Sequence, residues 1–368
     1  MQKKNRSKYL TPQKLTDNVL EIAPFREPED FLKLPTSPAT DIMYRALGAG
    51  ADIVSLKYNP ANHNRSIEVQ ERGNSRRVIS TSENAVVYLE LADIMQLAGS
   101  NKGAKKILTK VLASINEQAY SAGSMRRDYI QFPTQDLVDI GAYSDLRAAR
   151  RGFDNAMDTL TSFKVGGELK EGKNSTASAI EVLFTGSRRE RGVCTVFLND
   201  RIDWGFIAHF YTLIPSYYYA LPNKASDLLL YISMLARQNV RQIEKEGGFN
   251  ISLRAVQSFL NLPKEEDTTH PKQDIRDPII EAIKAIKEQA NRTDFTVTII
   301  ADSNAPVPEY LNSGYLHIEM EGEYKDYFVN RSKEVQKEIA QYRRQQEQLK
   351  IAVEAKIEEK KRKKAPAH

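Results

Sequence analysis

Apolar positions along the chain follow two periods, and the order in which those periods alternate predicts the elements. Residues 84–97 are read as a helix, and 103–119 as a second one with Ile107, Leu108, Val111, Leu112 and Ile115 on one face. The segment 126–133 (RRDYIQFP) alternates like a short strand and runs into Thr134, expected to cap a short helix in QDLVDIGAYS. A turn at 141–143 leads to Ser144, expected to cap a helix over 145–160. That helix buries Leu146, Ala149, Phe153, Ala156 and Leu160 and turns Arg147, Arg150 and Arg151 outward. Strand-like runs at 162–169 and 179–185, a basic loop at 186–192 (GSRRERG) and a run at 193–198 then form a hairpin region.

The same order begins again at 225. A helix over 226–240 places Leu229, Ile232, Leu235 and Ala236 inward. A short strand at 249–251 leads to Ser252, a cap for LRAVQSFLNL, which Pro263 closes. After a loop at 264–272, Asp277 and Pro278 read as a cap and first helical position, with a start nearer Gln273 also open. Ile275, Ile279, Ile283 and Ile286 mark the buried stripe. Strands follow at 295–300 and within 315–328. FPTQDLVDI is answered by FNISLRAVQ and SFKVGGEL by DFTVTII, a weak internal repeat.

The predicted fold is α+β. It consists of two tandem winged-helix domains at 84–200 and 201–330, with a loosely ordered N-terminal arm (1–80) and a charged C-terminal helix (331–368). The arm is expected to hold a short strand near 77–81. The segment 201–222, with WGFIAHFYTLIPSYYYALP, is too aromatic for a free linker and is expected to pack between the domains. In the last segment Val335, Ile339, Tyr342, Gln346, Leu349, Val353 and Ile357 are spaced by four and three like a coiled-coil seam, although a plain solvated helix fits the same pattern.

Length and charge narrow this reading only slightly. With 368 residues the chain exceeds the ~250–300 at which single cores stop growing. The net charge of +5 lies in the tail, where 331–368 holds 12 Lys/Arg against 6 Glu, so the rest is near neutral. No apolar run reaches the ~18 residues of a membrane helix, no secretory signal is evident at the start, and Cys194 stands alone, so a cytoplasmic location is the expectation. The histidines (63, 209, 270, 317 and 368) never form a close pair, which argues against a metal-dependent nicking enzyme. Tyr217, Tyr218 and Tyr219 are then packing residues. No phosphate-binding glycine loop followed by Lys-Ser/Thr is present, so ATP-driven action is not expected, and neither is any enzymatic activity, cofactor or metal.

Candidate chemistry lies in the cations. The second helix of a helix-turn-helix fits the major groove, and its early exposed side chains decide what is read. In the first unit these are Ser144, Arg147, Arg150 and Arg151, while Arg188, Arg189 and Arg191 sit where a wing would meet phosphates or the minor groove. In the second they are Lys272, Gln273 and Arg276, with Lys284 and Lys287 beyond and Arg237, Gln238 and Arg241 as backbone contacts. Any one arginine-bearing helix face is more often solvated surface, and GSRRERG also reads as a plain exposed hairpin. The conjunction of two matching units with basic residues at both places favours a sequence-specific binder of double-stranded DNA.

On LPNKASDLLLYISMLARQN, GGFNISLRAVQSFLNLP and DIRDPIIEAIKAIKEQANRTDFTVTII, and more loosely on 126–198, the chain resembles the replication initiator proteins of iteron-type bacterial plasmids, which carry tandem winged-helix domains. The resemblance covers roughly 84–330. It implies DNA replication initiation at repeated origin sites, with recruitment of host initiator and helicase proteins and conversion between homodimer and monomer. It also implies that the helices from about Gln273 and from Ser144 each enter a major groove of one iteron. The N-terminal arm and C-terminal helix depart from that pattern. A transcriptional regulator or partition-type DNA-binding protein on the same architecture remains the alternative.

Overall fold

The computed structural model describes residues 31–35, 66–72, 75–81, 85–91, 103–121, 128–171, 174–200, 211–289, 295–322 and 324–331, with single positions 40, 43, 44, 47, 202, 333 and 337. Mixed helix and sheet define an α+β fold. In chain order it runs β1 (Phe31–Pro35), β2 (Ser66–Arg72), β3 (Ser75–Thr81), β4 (Ala85–Leu91), α1 (Ala104–Ser121), β5 (Tyr129–Pro133), α2 (Asp136–Asp139) and α3 (Leu146–Leu160). Then come β6 (Phe163–Glu171), β7 (Asn174–Val182), β8 (Phe184–Glu190), β9 (Val193–Leu198) and β10 (Tyr211–Pro215). A 3₁₀ turn (Ser216–Ala220) precedes α4 (Asn223–Gln238), α5 (Val240–Glu246), β11 (Gly248–Ser252) and α6 (Leu253–Phe259). A π turn (Lys272–Arg276) continues into α7 (Asp277–Gln289), followed by β12 (Phe295–Ile300), α8 (Val307–Ser313) and β13 (Tyr315–Met320).

Two three-stranded antiparallel sheets share one topology. In the first, β9 lies between β5 and β8; in the second, β13 lies between β11 and β12. Each sheet is entered by a strand that passes into a helix pair, α2–α3 or α6–α7, and is completed by a later antiparallel pair, β8–β9 joined by a tight loop and β12–β13 joined through α8. The pairing of FPTQDLVDI with FNISLRAVQ is structural, since Phe132 and Phe249 both point inward from those entry strands. The pairing of SFKVGGEL with DFTVTII is not. β12 pairs with β13, whereas β6 pairs with β4 and β7 in a separate five-stranded sheet of order β2-β3-β4-β6-β7. The counterpart of β12–β13 is β8–β9.

That sheet corrects the reading of 84–97 as helix over 85–91, because β4 pairs with β3 on one side and β6 on the other, while 92–97 lie outside the described residues. Val86, Val87 and Tyr88 favour a pleated surface, and ladders on both edges outweigh the helical spacing. The 1–80 region likewise contributes more than a loose arm. β1 pairs antiparallel with β10, from Phe31 opposite Pro215 to Pro35 opposite Tyr211. Leu34 and the helical positions Met43, Tyr44 and Leu47 are buried in the core. After β13 the chain turns helical over 324–331, where strand was expected, and buries Tyr324, Tyr327 and Phe328. The seven residues of the 4-3 seam, Val335 to Ile357, lie outside the described residues.

The core is one contiguous cluster reaching from Leu34 to Val329. Of the aromatic stretch before α4, the described part from Tyr211 onward packs against it, with Tyr218 and Tyr219 at most 1% exposed and Tyr217 half-buried, while 203–210 lie outside the described residues. Along the seam between α1 and α4, Lys105 Nζ meets Asp227 Oδ2 at 2.9 Å and lies 5.0 Å from the Phe259 ring centroid. Lys106 Nζ donates to the carbonyls of Tyr219 and Leu221 at 2.7 and 2.8 Å. No helix among the described residues is long and apolar enough to cross a membrane.

Candidate nucleic-acid interface

The first unit places its cations by local rules. Thr134 does not cap α2; its hydroxyl is buried and lies 3.4 Å from Cys194 Sγ, so Gln135 occupies the cap position without a side-chain bond. Burial pushes the Cys194 thiol up, and it packs as a small apolar group. Gly141, with φ +77°, makes the turn out of α2, where its Cα faces Ala220. The cap of α3 is Asp145 rather than Ser144. Its extended backbone lets the carboxylate accept from the Ala148 N–H at 2.8 Å, and that bond, with a hydroxyl bond from Ser144 at 3.1 Å, holds its pKa down. Ser144 itself is exposed beside the helix start.

Tyr143 locks this turn. Its backbone N–H donates to Leu137 O at 3.1 Å, and burial pushes its hydroxyl up to about 12. A Cβ on Gly103 or on Gly152 would fall inside the Tyr143 phenol. Gly152→Ala, ordinarily helix-stabilising by ~1 kcal/mol, is therefore expected to destabilise the protein by about 1–3 kcal/mol through overpacking. Urea unfolding of Gly152→Ala, Tyr143→Leu and the double variant checks this. The double variant should recover much of the loss, and additive losses would show that the ring and the glycine do not meet.

On α3, Ala149, Phe153, Ala156, Met157 and Leu160 are buried, while Arg147, Arg150 and Arg151 are exposed over the first two turns. Leu146, expected inward, is 38% exposed because it stands at the helix's first position, beyond the core. The hairpin after it differs from the expected loop. Arg188 and Arg189 belong to β8, and only Arg191 and Gly192 form the connection, both at positive φ (49° and 80°) as a two-residue hairpin loop requires. Arg189 turns toward α3 and grips Asp154 with two bonds, 2.8 and 3.2 Å. Arg188 pairs with Glu190 on the exposed side. Of the three arginines expected on this loop, Arg191 is the one placed at the hairpin tip, and Arg189 is a brace between helix and hairpin.

In the second unit Ser252 caps α6 as expected, accepting from the Ala255 N–H at 3.2 Å. Arg254 ties α6 to Asn312 at 2.9 Å and to Glu265 at 2.7 Å. The next helix starts before Asp277, through the π turn, so Pro278 lies inside it. The wider turn lets the Asp277 N–H reach Lys272 O five residues back and absorbs a proline that would otherwise clash with the preceding turn. Lys272 and Gln273 are exposed on that turn and Lys284 further along α7. Arg276 is not presented outward. Its guanidinium stacks 4.9 Å from the Tyr310 ring centroid and donates to Ser303 O, fixing α8 against the helix. From Lys272 to Gln289 four basic residues stand against four acidic ones, so this face lacks the positive bias of α3. Arg237 is half-buried in the last turn of α4.

Residue patterns overlooked one exposed feature of the first sheet. Tyr129 and Phe197 are cross-strand partners on its outer face, 44% and 36% exposed. Strict alternation through Tyr129, Gln131 and Pro133 was the available signal. Two histidines lie among the described residues, and His317 Nδ1 shares a 2.8 Å hydrogen bond with Asn250 Oδ1. Among those residues no group of three His, Cys, Asp or Glu could hold a metal ion.

No family model matches the chain, and no curated protein matches it. Among solved structures it is similar to two crystal structures of domains 2 and 3 of RctB. One aligns over 75% of this chain and 99% of that one, at 8% identity and a TM-score of 0.40. The other, a selenomethionine derivative, covers the same shares at 9% identity and a TM-score of 0.37.

Proposed function

We propose that the chain is a non-catalytic, sequence-specific binder of double-stranded DNA, built from two winged-helix units whose second helices, α3 and α7, each enter a major groove. The observation that carries this is the repetition of one order: entry strand, helix pair, and an antiparallel strand pair completing a sheet with the last strand in the middle. In the first unit that geometry coincides with Arg147, Arg150 and Arg151 exposed at the start of α3 and Arg191 at the hairpin tip. Arginine offers two donors to guanine O6 and N7 there, and the hairpin tip lies where a wing follows phosphates. α3 is the main reader and the electroneutral α7 the secondary one, with Lys272, Gln273 and Lys284 as its contacts.

Within that class, the resemblance of the second unit to plasmid replication initiators supports action in the cytoplasm at repeated origin sites, together with host initiator and helicase proteins. Direct repeats of about two helical turns beside an AT-rich stretch near the gene accompany replication, and an inverted repeat at a promoter accompanies regulation alone.

Selection of bound duplexes from a random-sequence library, followed by footprinting, tests the reading. Arg147→Ala with Arg151→Ala is expected to weaken binding to the selected site by about 10-fold or more, as loss of base contacts at ~1–3 kcal/mol each implies. Random DNA should lose far less. Equal losses on both would reduce these arginines to phosphate contacts, and a library with no preferred duplex would end the proposal.

A further inference from the structure

Among the described residues five large apolar side chains are exposed by 36–44%: Tyr129, Leu146, Phe197, Ile280 and Ile300. Two of the five lie on the second helices of the two units. Ile280, 37% exposed, stands on the outward side of α7, whose core contact is already made by Ile279, Ala282, Ile283 and Ile286. It adds nothing to that stripe, and a β-branched residue at an exposed helical position has no propensity advantage. In α3, Leu146 likewise stands outside the buried set.

Both residues have the same neighbour. One helical turn after Ile280 comes Lys284, and one turn after Leu146 comes Arg150, both cations exposed. Gln273 is exposed two turns before Ile280. An aliphatic group beside a cation on a helix lying in the major groove matches what the groove offers. The thymine C5 methyl is its one protruding apolar group, and phosphates line its edges. A protein partner would be recognised by a broader apolar patch than one aliphatic side chain set among Asp277, Glu281 and Lys284.

We propose that Ile280 in the second unit and Leu146 in the first are thymine-reading residues, each in contact with a thymine C5 methyl. The assignment rests on the double-stranded DNA reading above and names part of its sequence preference: at least one A·T pair under each helix. Exchange of thymine for uracil tests it, because base pairing is kept and only the methyl is lost.

The probe is the duplex that the full-length protein selects from a random library, resynthesised with uracil at one thymine at a time. At one thymine under each helix, the unaltered protein should bind the uracil duplex about 3- to 5-fold more weakly, the equivalent of one buried methyl group. Ile280→Ala should abolish that discrimination at one of the two positions and Leu146→Ala at the other. The uracil scan on unaltered protein decides by itself: equal affinity at every position overturns the proposal, as does full discrimination retained by both variants. If no duplex is selected at all, the DNA-binding reading falls first and this one with it; a selected but methyl-insensitive site sinks this one alone.

Discussion

Asp227→Ala is expected to cost about 3–5 kcal/mol, most or all of the stability of a marginal protein. Its carboxylate meets Lys105 at 2.9 Å with both side chains largely buried, 15% and 6% exposed, and its charge is also felt by Lys106 and Lys224. Burial already lowers the Lys106 pKa, which the Asp227 charge partly offsets. Removing the one acid leaves Lys105 charged against the Phe259 ring and Lys106 held only by two carbonyls. Lys105→Met with Asp227→Leu removes both charges and fills the space, so the pair should lie within about 2 kcal/mol of the original protein. Urea unfolding of the single and double variants measures this. A double variant as unstable as Asp227→Ala would mean that the seam depends on its shape and not on the paired charge.

The second large effect is alkaline unfolding. Tyr44, Tyr218, Tyr219 and Tyr324 are all at most 1% exposed, and burial raises every one of them above the ordinary value of 10.0. Tyr44 and Tyr218 share the Thr109 hydroxyl at 2.9 and 3.2 Å, and Tyr324 donates to Leu213 O at 3.2 Å. Tyr219 OH finds no partner among the described residues. In the unfolded chain all four lose their protons near pH 10, while the folded chain keeps them. Stability is therefore complete below pH 10 and declines above it, by about 1.4 kcal/mol per tyrosine per pH unit, or roughly 5 kcal/mol per unit together. Cooperative unfolding between about pH 11 and 12 is expected by circular dichroism, with tyrosinate absorbance appearing in the same step. Tyr324→Phe should make the decline about one quarter shallower. Tyrosinate absorbance appearing well before the loss of secondary structure would contradict the burial of these rings.

Local sequence determined whatever needs only neighbours within a few positions. Ser252 as a cap, the strand-to-helix passages at Phe132 and Phe249, the glycine turn at Gly141 and the outward Arg147, Arg150 and Arg151 were legible because period, cap chemistry and turn residues act over one or two turns of chain. The recurrence of one unit was legible for the same reason. Even there the local signal missed by one residue at Ser144, since Asp145 is the residue whose carboxylate accepts from the Ala148 N–H.

Contacts between distant segments decided the rest. β1 finds β10 across some 180 positions, and β6 pairs with β4 as well as with β7 in a separate sheet, because a strand's partner is set by which edges the fold leaves open and not by its own alternation. Arg189 and Arg276 look as basic in the sequence as Arg147 does. Only the approach of Asp154 to the one, and of Tyr310 and Ser303 to the other, turns them from DNA-facing candidates into braces. The sequence by itself thus specified local caps, turns and the positions of the cations, and the tertiary structure decided which cations face solvent, because an ion pair or a ring stack forms only between groups that folding brings together.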